Sequence, residues 1–248
     1  MEVHHHAHTE RKKWTHYFWE FLMLFLAVFC GFLAENQREH MVEHQREKQY
    51  MESMLSDLSA DTATLSSGIP LKLRRIGAID SVFIFFNEHP GAKIISGQLF
   101  RTIRRTNFDA RFIRNVITIN QLKNAGGMRL VRAKQIADSI SSYDQLCEVT
   151  ILYNDFYIEN SLVGNRQFEK LFNAADLLPL YIANKKGAII ANIPDSLIIR
   201  INTSELNEQI NFMMLEKAYA RQEIDRYIEI KERAIRLMEL IRKEYHLK

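Results

Sequence analysis

The chain is poor in residues that interrupt helices, with four prolines and nine glycines among its 248 residues. Long stretches without either favour helices over a β fold, which needs frequent turns. The two cysteines, Cys30 and Cys147, are too few for a disulfide framework, so they do not identify the compartment. The net charge of +3 is small for this length and gives no reason to expect nucleic acid as a partner.

Motifs of the common enzyme classes are also missing. The sequence has no P-loop, no dinucleotide-binding glycine fingerprint and no G-x-S-x-G nucleophile elbow. Serine, histidine and aspartate occur, but no spacing marks a catalytic triad. The sequence therefore predicts a protein that is not an enzyme and uses no cofactor.

The longest apolar run predicts a membrane-spanning helix over residues 14–34. A helix of this length reaches about 31 Å, close to the thickness of the hydrocarbon layer. Aromatic side chains that prefer the headgroup region gather at its N-terminal end, namely Trp14, Tyr17 and Trp19. A basic cluster lies just before them in the tail of residues 1–13 and consists of Arg11, Lys12 and Lys13.

Other interpretations of this run stay open. A cleaved signal peptide needs small residues at its cleavage site, which Phe32 does not provide, and a lipoprotein signal needs a small residue where Phe29 precedes Cys30. A buried core helix would be equally apolar. Glu20 lies one turn inside the aromatic belt, either as a carboxylate that reaches the interface or as an intramembrane group that pairs with a helix or relays protons.

The basic residues also predict an orientation. Three of them touch the N-terminal boundary of the span, whereas Arg38, Arg46 and Lys48 lie farther from the other boundary and among glutamates. The positive-inside rule then places the N-terminus in the cytoplasm and the C-terminal domain in the periplasm, with the span in a bacterial inner membrane. Each side of the span has three basic residues, so the predicted orientation rests only on how close these residues lie to the span.

Beyond the span, residues 35–67 predict a stalk helix, and residues 68–248 predict a helical soluble domain. In that domain we expect Pro70 to begin a second helix that ends before the turn at His89. Further helices are predicted over 93–105, over 108–125, over 131–163 as one or two pieces, and over 166–178. Residues 187–202 fit either a small hairpin or two short helices. The apolar spacing predicts a buried face that includes Ile79, Phe83, Phe112, Val116, Ile140, Tyr143 and Phe156.

A long amphipathic helix is predicted from Asn202 to about Tyr245. Asn202 can cap it, with Glu205 as the reciprocal partner three residues on. Its apolar face comprises Leu206, Ile210, Met214, Ile224, Ile228, Ile235, Met238 and Ile241. A helix of this length should pack lengthwise on another long helix. The predicted fold is therefore mainly α: one transmembrane helix, a stalk helix and a helical bundle with a long C-terminal helix.

Two histidine patterns suggest metal ligands. His40, Glu43 and His44 match the H-x-x-E-H pattern of inverted zinc peptidases, and histidines four apart share one helix face. The pattern lies on a polar stalk without an evident third ligand, so a metal that bridges stalks in an oligomer suits it better than catalysis. The N-terminal histidines, His4, His5, His6 and His8, form a tract that is either a loose metal site or a solvated tail.

A stretch of arginines and phenylalanines predicts the outer faces of two helices rather than a binding site for nucleic acid. The arginines are Arg101, Arg104, Arg105, Arg111 and Arg114. Phe100, Phe108 and Phe112 fall between them at core spacing, which indicates that the arginines point outward.

The order of features resembles an uncharacterised family of bacterial single-span membrane proteins. The likeness lies in the basic tail and span, the charged ENQREH helix, and the segment from Asn120 to Leu130 followed by a helix that ends near Tyr143. It covers the anchor and about the next 110 residues. The resemblance implies the architecture only.

Two functions from different classes follow. The first is a membrane-anchored scaffold or accessory subunit of an envelope complex, with membrane lipid and either a second copy or another membrane protein as partners. The second is a sensor that binds a ligand or metal and signals through its span. A metallohydrolase that uses His40, Glu43 and His44 is a third hypothesis.

Overall fold

The computed structural model describes residues 14–124, 126–183, 193 and 197–247. These residues are mainly helical, and one long apolar helix begins at the N-terminal end, so both of these predictions are confirmed. The elements are α1 (Trp14–Glu88), β1 (Ile94–Ser96), α2 (Gly97–Thr106), α3 (Ile117–Asn124), α4 (Lys134–Lys170), α5 (Ala174–Ala183), β2 (Ile198–Arg200) and α6 (Thr203–Tyr245). The chain divides into two compact units, Met1–Tyr50 and Met51–Lys248.

In the second unit, one series of buried side chains on α1 recurs every seven residues. It comprises Met51, Leu58, Leu65, Lys72, Ile79 and Phe86. α6 shows the same repeat at Met213, Ala220, Tyr227, Ala234 and Ile241. A seven-residue repeat keeps one stripe of a helix against its neighbours over many turns. Each long helix of this unit is therefore fixed by one stripe, and that stripe contains charged as well as apolar residues.

The prediction that Pro70 begins a new helix is wrong, because α1 runs through it without a break. Proline has no backbone N–H and leaves one carbonyl of the preceding turn without its helical donor. Buried Leu65 and Lys72 lie on either side of the proline, so packing holds the chain helical there. In the preceding turns, the hydroxyls of Thr64 and Ser66 donate to carbonyls four residues back.

The predicted helix over 93–105 begins later than expected. Residues 94–96 form β1, which pairs antiparallel with β2, and Ile95 lies opposite Ile199. α2 starts at Gly97, where the Ser96 hydroxyl accepts a hydrogen bond from Leu99 N at 3.1 Å. The strand pairing depends on residues far along the chain, such as Ile199 opposite Ile95, which local spacing cannot reveal. Of the ambiguous 187–202 segment, the described part supplies β2, and residues 187–192 and 194–196 lie outside the described residues.

The other predicted helices also differ from the observed ones. Residues 107–116 have no regular structure, and only Ile117–Asn124 of the helix predicted over 108–125 is helical. α4 is one helix that continues to Lys170, so the break predicted after 163 is wrong. Several residues predicted to be buried are partly exposed, namely Phe83, Val116, Phe156, Met214, Ile228 and Ile235. Ile228 and Ile235 each follow a buried position of the seven-residue repeat by one residue, and this places them beside the stripe.

The long C-terminal helix is confirmed as α6. Asn202 Oδ1 accepts from Ser204 N at 3.0 Å, which confirms the capping residue. Side-chain contacts show that α6 packs against α4 and in which direction. Arg233 of α6 donates to Ser142 of α4 at 2.5 Å. Gln167, later in α4, donates to Glu208, earlier in α6. α4 and α6 therefore run antiparallel.

Candidate functional site

The predicted anchor residues lie on the exposed surface of α1. An 18-residue window of this helix has a mean hydropathy of 2.0, and none of it is buried. Trp14, Tyr17 and Trp19 are exposed at its start. Glu20 lies 3.0 Å from His16 Nε2, one helical turn earlier, a pairing that the sequence analysis missed. Arg11, Lys12, Lys13 and the N-terminal histidines lie outside the described residues.

The predicted metal ligands lie on the same helix, each beside a carboxylate. His40 Nδ1 is 3.7 Å from Glu43 Oε2, whereas His44 Nδ1 is 3.3 Å from Glu47 Oε2. The two histidines thus face different glutamates. Among the described residues, no three His, Cys, Asp or Glu side chains form a group that could hold a metal. The metal site stays a prediction.

The second unit contains a buried group of five charged side chains, called here the central charge cluster: Lys72, Arg75, Asp109, Glu216 and Glu223. Lys72 is 0% exposed, and its Nζ lies 2.7 Å from Asp109 Oδ1 and 2.8 Å from Glu223 Oε2. Arg75 pairs with Glu216 Oε2 and donates from Nε to the carbonyl of Thr106 at 2.6 Å. The cluster therefore ties α1 to α6 and to the irregular segment after α2.

Neutral side chains complete the hydrogen bonds of this cluster. Tyr227 lies 5.3 Å below Lys72 Nζ, and its hydroxyl accepts from Phe112 N at 3.0 Å. With its nitrogen toward Glu223, the Asn154 carboxamide donates to Glu223 Oε1 at 2.8 Å and accepts from the Tyr227 hydroxyl at 3.1 Å. Burial raises the pKa of the Glu223 carboxyl, although Lys72 opposes the shift. The central charge cluster and these neutral side chains form one continuous polar network. This network lies inside an otherwise apolar helix stripe.

A second polar group fastens the segment before α3 to α1. Asp61 Oδ1 accepts from Asn115 N at 2.7 Å, and Asp57 Oδ2 accepts from Thr118 N at 2.9 Å in the first turn of α3. The hydroxyl of Tyr143 donates to Asp61 Oδ2 at 2.6 Å. Burial raises the pKa of the Asp61 carboxyl against these hydrogen bonds. Asp57 thus satisfies an N–H group of the first turn of α3 that a capping residue would otherwise serve, and Asp61 satisfies the N–H group of Asn115 just before the helix.

The basic stretch is only partly as predicted. Arg111 is exposed, but the side chain of Arg114 is only 6% exposed and donates to Asp144 Oδ1 at 2.6 Å. Arg104 lies over the ring of Phe168 at 5.4 Å. Phe100 and Phe112 are buried, whereas Phe108 is exposed. The prediction of outward arginines is therefore wrong for Arg114, because the segment that carries it is irregular and turns its side chain inward.

A cavity of about 480 Å³ adjoins the central charge cluster. Its walls come from α1, the segment 106–113, α4 and α6. Arg75, Asp109 and Glu216 belong to both the cluster and the cavity wall, and Gln209 lines the wall from α6. Sequence analysis missed this site, because charged residues within a helix pattern are usually solvated. The available signal was the seven-residue repeat, which places Lys72 in register with the buried residues Leu65 and Ile79.

α4 also presents an apolar surface. The α4 stripe consists of Val149, Leu152, Phe156 and Val163, spaced three, four and seven residues apart. These side chains are exposed, and Leu152 reaches 70%. The buried side of α4, which includes Cys147 and Asn154, is turned toward its packing partners. Exposed apolar residues at helical spacing are typical of surfaces that pack against another helix.

Comparison with protein-family models, curated proteins and solved structures gives no match to this chain. The resemblance to a family of single-span membrane proteins therefore stays a prediction, and function is argued from the residues alone.

Proposed function

We propose that this chain is a membrane-anchored, non-enzymatic scaffold or accessory subunit that acts through helix–helix association. The observation that carries the proposal is the exposed apolar window at the start of α1, with a mean hydropathy of 2.0 and no buried residue. Exposure of so much apolar surface to water is unfavourable, at about 25 cal/mol per Å². A bilayer removes that cost and suits the aromatic residues at the start of the helix.

The α4 stripe supports the association part of the proposal. A stripe of large apolar side chains on one helix face suits a groove on another helical subunit. The partner is either a second copy or another membrane protein, as the sequence analysis expects. The proposed compartment is a bacterial inner membrane with the soluble domain in the periplasm, which rests on the basic cluster at the N-terminal boundary.

The anchor is tested by fractionation of cells that express the full chain. We expect the protein to sediment with membranes and to resist alkaline carbonate. Leu24→Arg combined with Leu26→Arg should release it, because an arginine near the bilayer centre costs roughly 2.5–3.5 kcal/mol. Leu24→Ile is the matched control and should stay in the pellet. A wild-type chain that carbonate extracts would contradict the proposed anchor.

Association is tested by affinity isolation in mild detergent, with mass measurement and identification of co-purified proteins. A stoichiometric second protein indicates an accessory subunit, and a homo-oligomer indicates a self-contained scaffold. Leu152→Lys combined with Phe156→Lys should remove the partner, whereas Glu169→Lys, at an exposed position on another face of α4, should not. A chain that is monomeric and alone in wild-type form would refute the scaffold proposal.

Orientation is tested separately by protease treatment of intact spheroplasts. A periplasmic domain is digested from outside, whereas a cytoplasmic one survives until the membrane is broken. Survival in intact spheroplasts would reverse the proposed topology without affecting the anchor.

A further inference from the structure

Two buried hydrogen-bond acceptors in the cavity beside the central charge cluster have no partner among the residues that the structure describes. They are Oε1 of Gln209 and Oε1 of Glu216. Both residues line the cavity from α6, and they are 1% and 4% exposed. A buried acceptor without a donor costs about 1–3 kcal/mol, and folded proteins contain few of them. Two in one cavity therefore call for a donor from outside the described residues.

The surroundings fix the chemical character of that donor. Glu216 Oε2 is already engaged, because it pairs with Arg75 and accepts from the Ser161 hydroxyl at 2.9 Å. Arg75 in turn directs Nε to the Thr106 carbonyl. The donors of Arg75 and Ser161 are thus committed to protein acceptors, the wall also contains Arg111 and Asn165, and the unpaired atoms are carboxylate and amide oxygens. Such oxygens suit the N–H groups of a cation.

The rest of the wall favours an organic body over a hydrated inorganic ion. Ile79, Ile158, Phe212 and Met213 line the cavity beside the polar groups. A volume of about 480 Å³ falls within the usual range for small-molecule sites, which combine apolar walls with a few polar groups. The ligand should therefore carry an apolar body together with its donors.

The spacing of the two acceptors sets where the donors lie. Gln209 and Glu216 are seven residues apart on α6, which separates their Cα atoms by about 10 Å along the helix axis. Both side chains lean toward the N-terminus of the helix, so we expect their oxygens to stay about two turns apart, too far for one nitrogen to bridge. The ligand that fits has a donor near each end.

We propose that this cavity binds a small organic amine whose ammonium group donates to Glu216 and whose second donor, at the far end of an apolar body, donates to Gln209. The inference stands apart from the proposed membrane anchor, because every residue involved belongs to the second unit. The two proposals can therefore fail independently. A soluble chain that binds the amine would contradict only the anchor, and an anchored chain that does not bind it would contradict only the amine site.

Three related compounds test the site in the full chain. Tyramine carries an ammonium group and a phenolic hydroxyl on opposite sides of one ring. Phenethylamine lacks the hydroxyl, and 4-ethylphenol lacks the ammonium group. We expect tyramine to raise the thermal midpoint of the protein saturably, phenethylamine to do so with lower affinity, and 4-ethylphenol to have the smallest effect. Isothermal calorimetry should give the same order of affinities.

Gln209→Met is the decisive variant. It keeps the side-chain length but removes the unpaired oxygen, so the unliganded protein should unfold at a higher temperature. At the same time it should weaken tyramine about tenfold, since one hydrogen bond to a buried acceptor is lost. Phenethylamine, which has no donor for Gln209, should bind this variant and the wild type alike.

Glu216→Gln should weaken both amines and leave 4-ethylphenol unchanged. If that variant fails to fold because Arg75 loses its partner, Gln209→Met still decides the question. The proposal is overturned if neither amine gives a saturable shift, if 4-ethylphenol binds as well as tyramine, or if Gln209→Met leaves tyramine binding unchanged.

Discussion

Lys72 and Glu223 lie 151 positions apart in the sequence, and their charged groups meet at 2.8 Å in the interior of the second unit. The same ammonium group also donates to Asp109 Oδ1 at 2.7 Å. Removal of one partner from a buried pair leaves an uncompensated charge, which is far more costly than the pair itself is stabilising. The central charge cluster therefore makes the interior sensitive to single substitutions.

Lys72→Met should lower the free energy of unfolding by about 3–5 kcal/mol, because Glu223 then loses the ammonium group at 2.8 Å and Asp109 keeps only the more distant Arg75 at 3.7 Å. Urea unfolding of the full chain in detergent, followed by helical circular dichroism, measures the effect. Lys243→Met is the matched control, because that lysine is exposed near the end of α6, and it should leave the midpoint nearly unchanged. Equal effects of the two substitutions would show that Lys72 is not in a buried pair.

Glu223 should make the stability of the protein depend on pH. Its pKa in the folded state is raised above the ordinary value of 4.5 by burial. Between pH 4.5 and the raised pKa, the folded state holds a proton that the unfolded state has lost. The free energy of unfolding therefore decreases as pH rises from 4.5 through the raised pKa. The groups that act on Glu223 are Lys72, Asp109, Arg75 and Asn154.

The Glu223→Gln variant isolates this contribution. The stability of the wild type minus that of the variant should be largest at acid pH and should decrease as pH rises above 4.5. Urea midpoints measured at a series of pH values give the difference. A difference that grows with pH would mean that the attraction of Lys72 outweighs burial.

The parts of the fold that the sequence predicted are those that local patterns determine. α6 was predicted because its apolar spacing and its Asn202 cap are continuous in the sequence. The apolar helix at the N-terminal end was predicted because composition alone marks it. In both segments the local sequence by itself specifies a helix, so no distant contact is needed.

The parts that could not be predicted depend on distant contacts. β1 forms because β2 lies beside it, and Asp57 and Asp61 of α1 hold the end of the irregular segment 107–116 and the start of α3 through the N–H groups of Asn115 and Thr118. The cavity and its cluster were missed for the same reason. Lys72, Arg75 and Glu223 look like solvated charges until partners far along the chain are known.

The thiol of Cys147 should be inert in the folded protein. It is buried, and burial raises its pKa to about 11, so little thiolate exists near neutral pH. In a Cys30→Ala background, maleimide should not modify Cys147 under native conditions but should modify it fully in urea, as measured by intact mass. A chain that lacks both cysteines and carries Leu152→Cys is the exposed control and should react at once. Rapid native labelling of Cys147 would mean that α4 is not packed there.

Two helical glycines should respond in opposite directions to alanine. A Cβ at Gly164 of α4 would overlap the ring of Phe212 on α6, so Gly164→Ala forces these helices or the ring to shift. We expect a loss of roughly 1–3 kcal/mol, as for other overpacked cores. Gly77 of α1 has open space at its Cβ position, so Gly77→Ala should gain about 0.5–1 kcal/mol through helix propensity.

Urea unfolding of both variants measures the contrast, and a third variant identifies its cause. Gly164→Ala combined with Phe212→Leu should recover part of the lost stability, because the smaller side chain leaves room for the new methyl group. Phe212 also lines the cavity, so a ring displaced by Gly164→Ala alone should weaken tyramine binding. If Gly164→Ala and Gly77→Ala change stability equally, the close approach of α4 to α6 is not what holds these helices together.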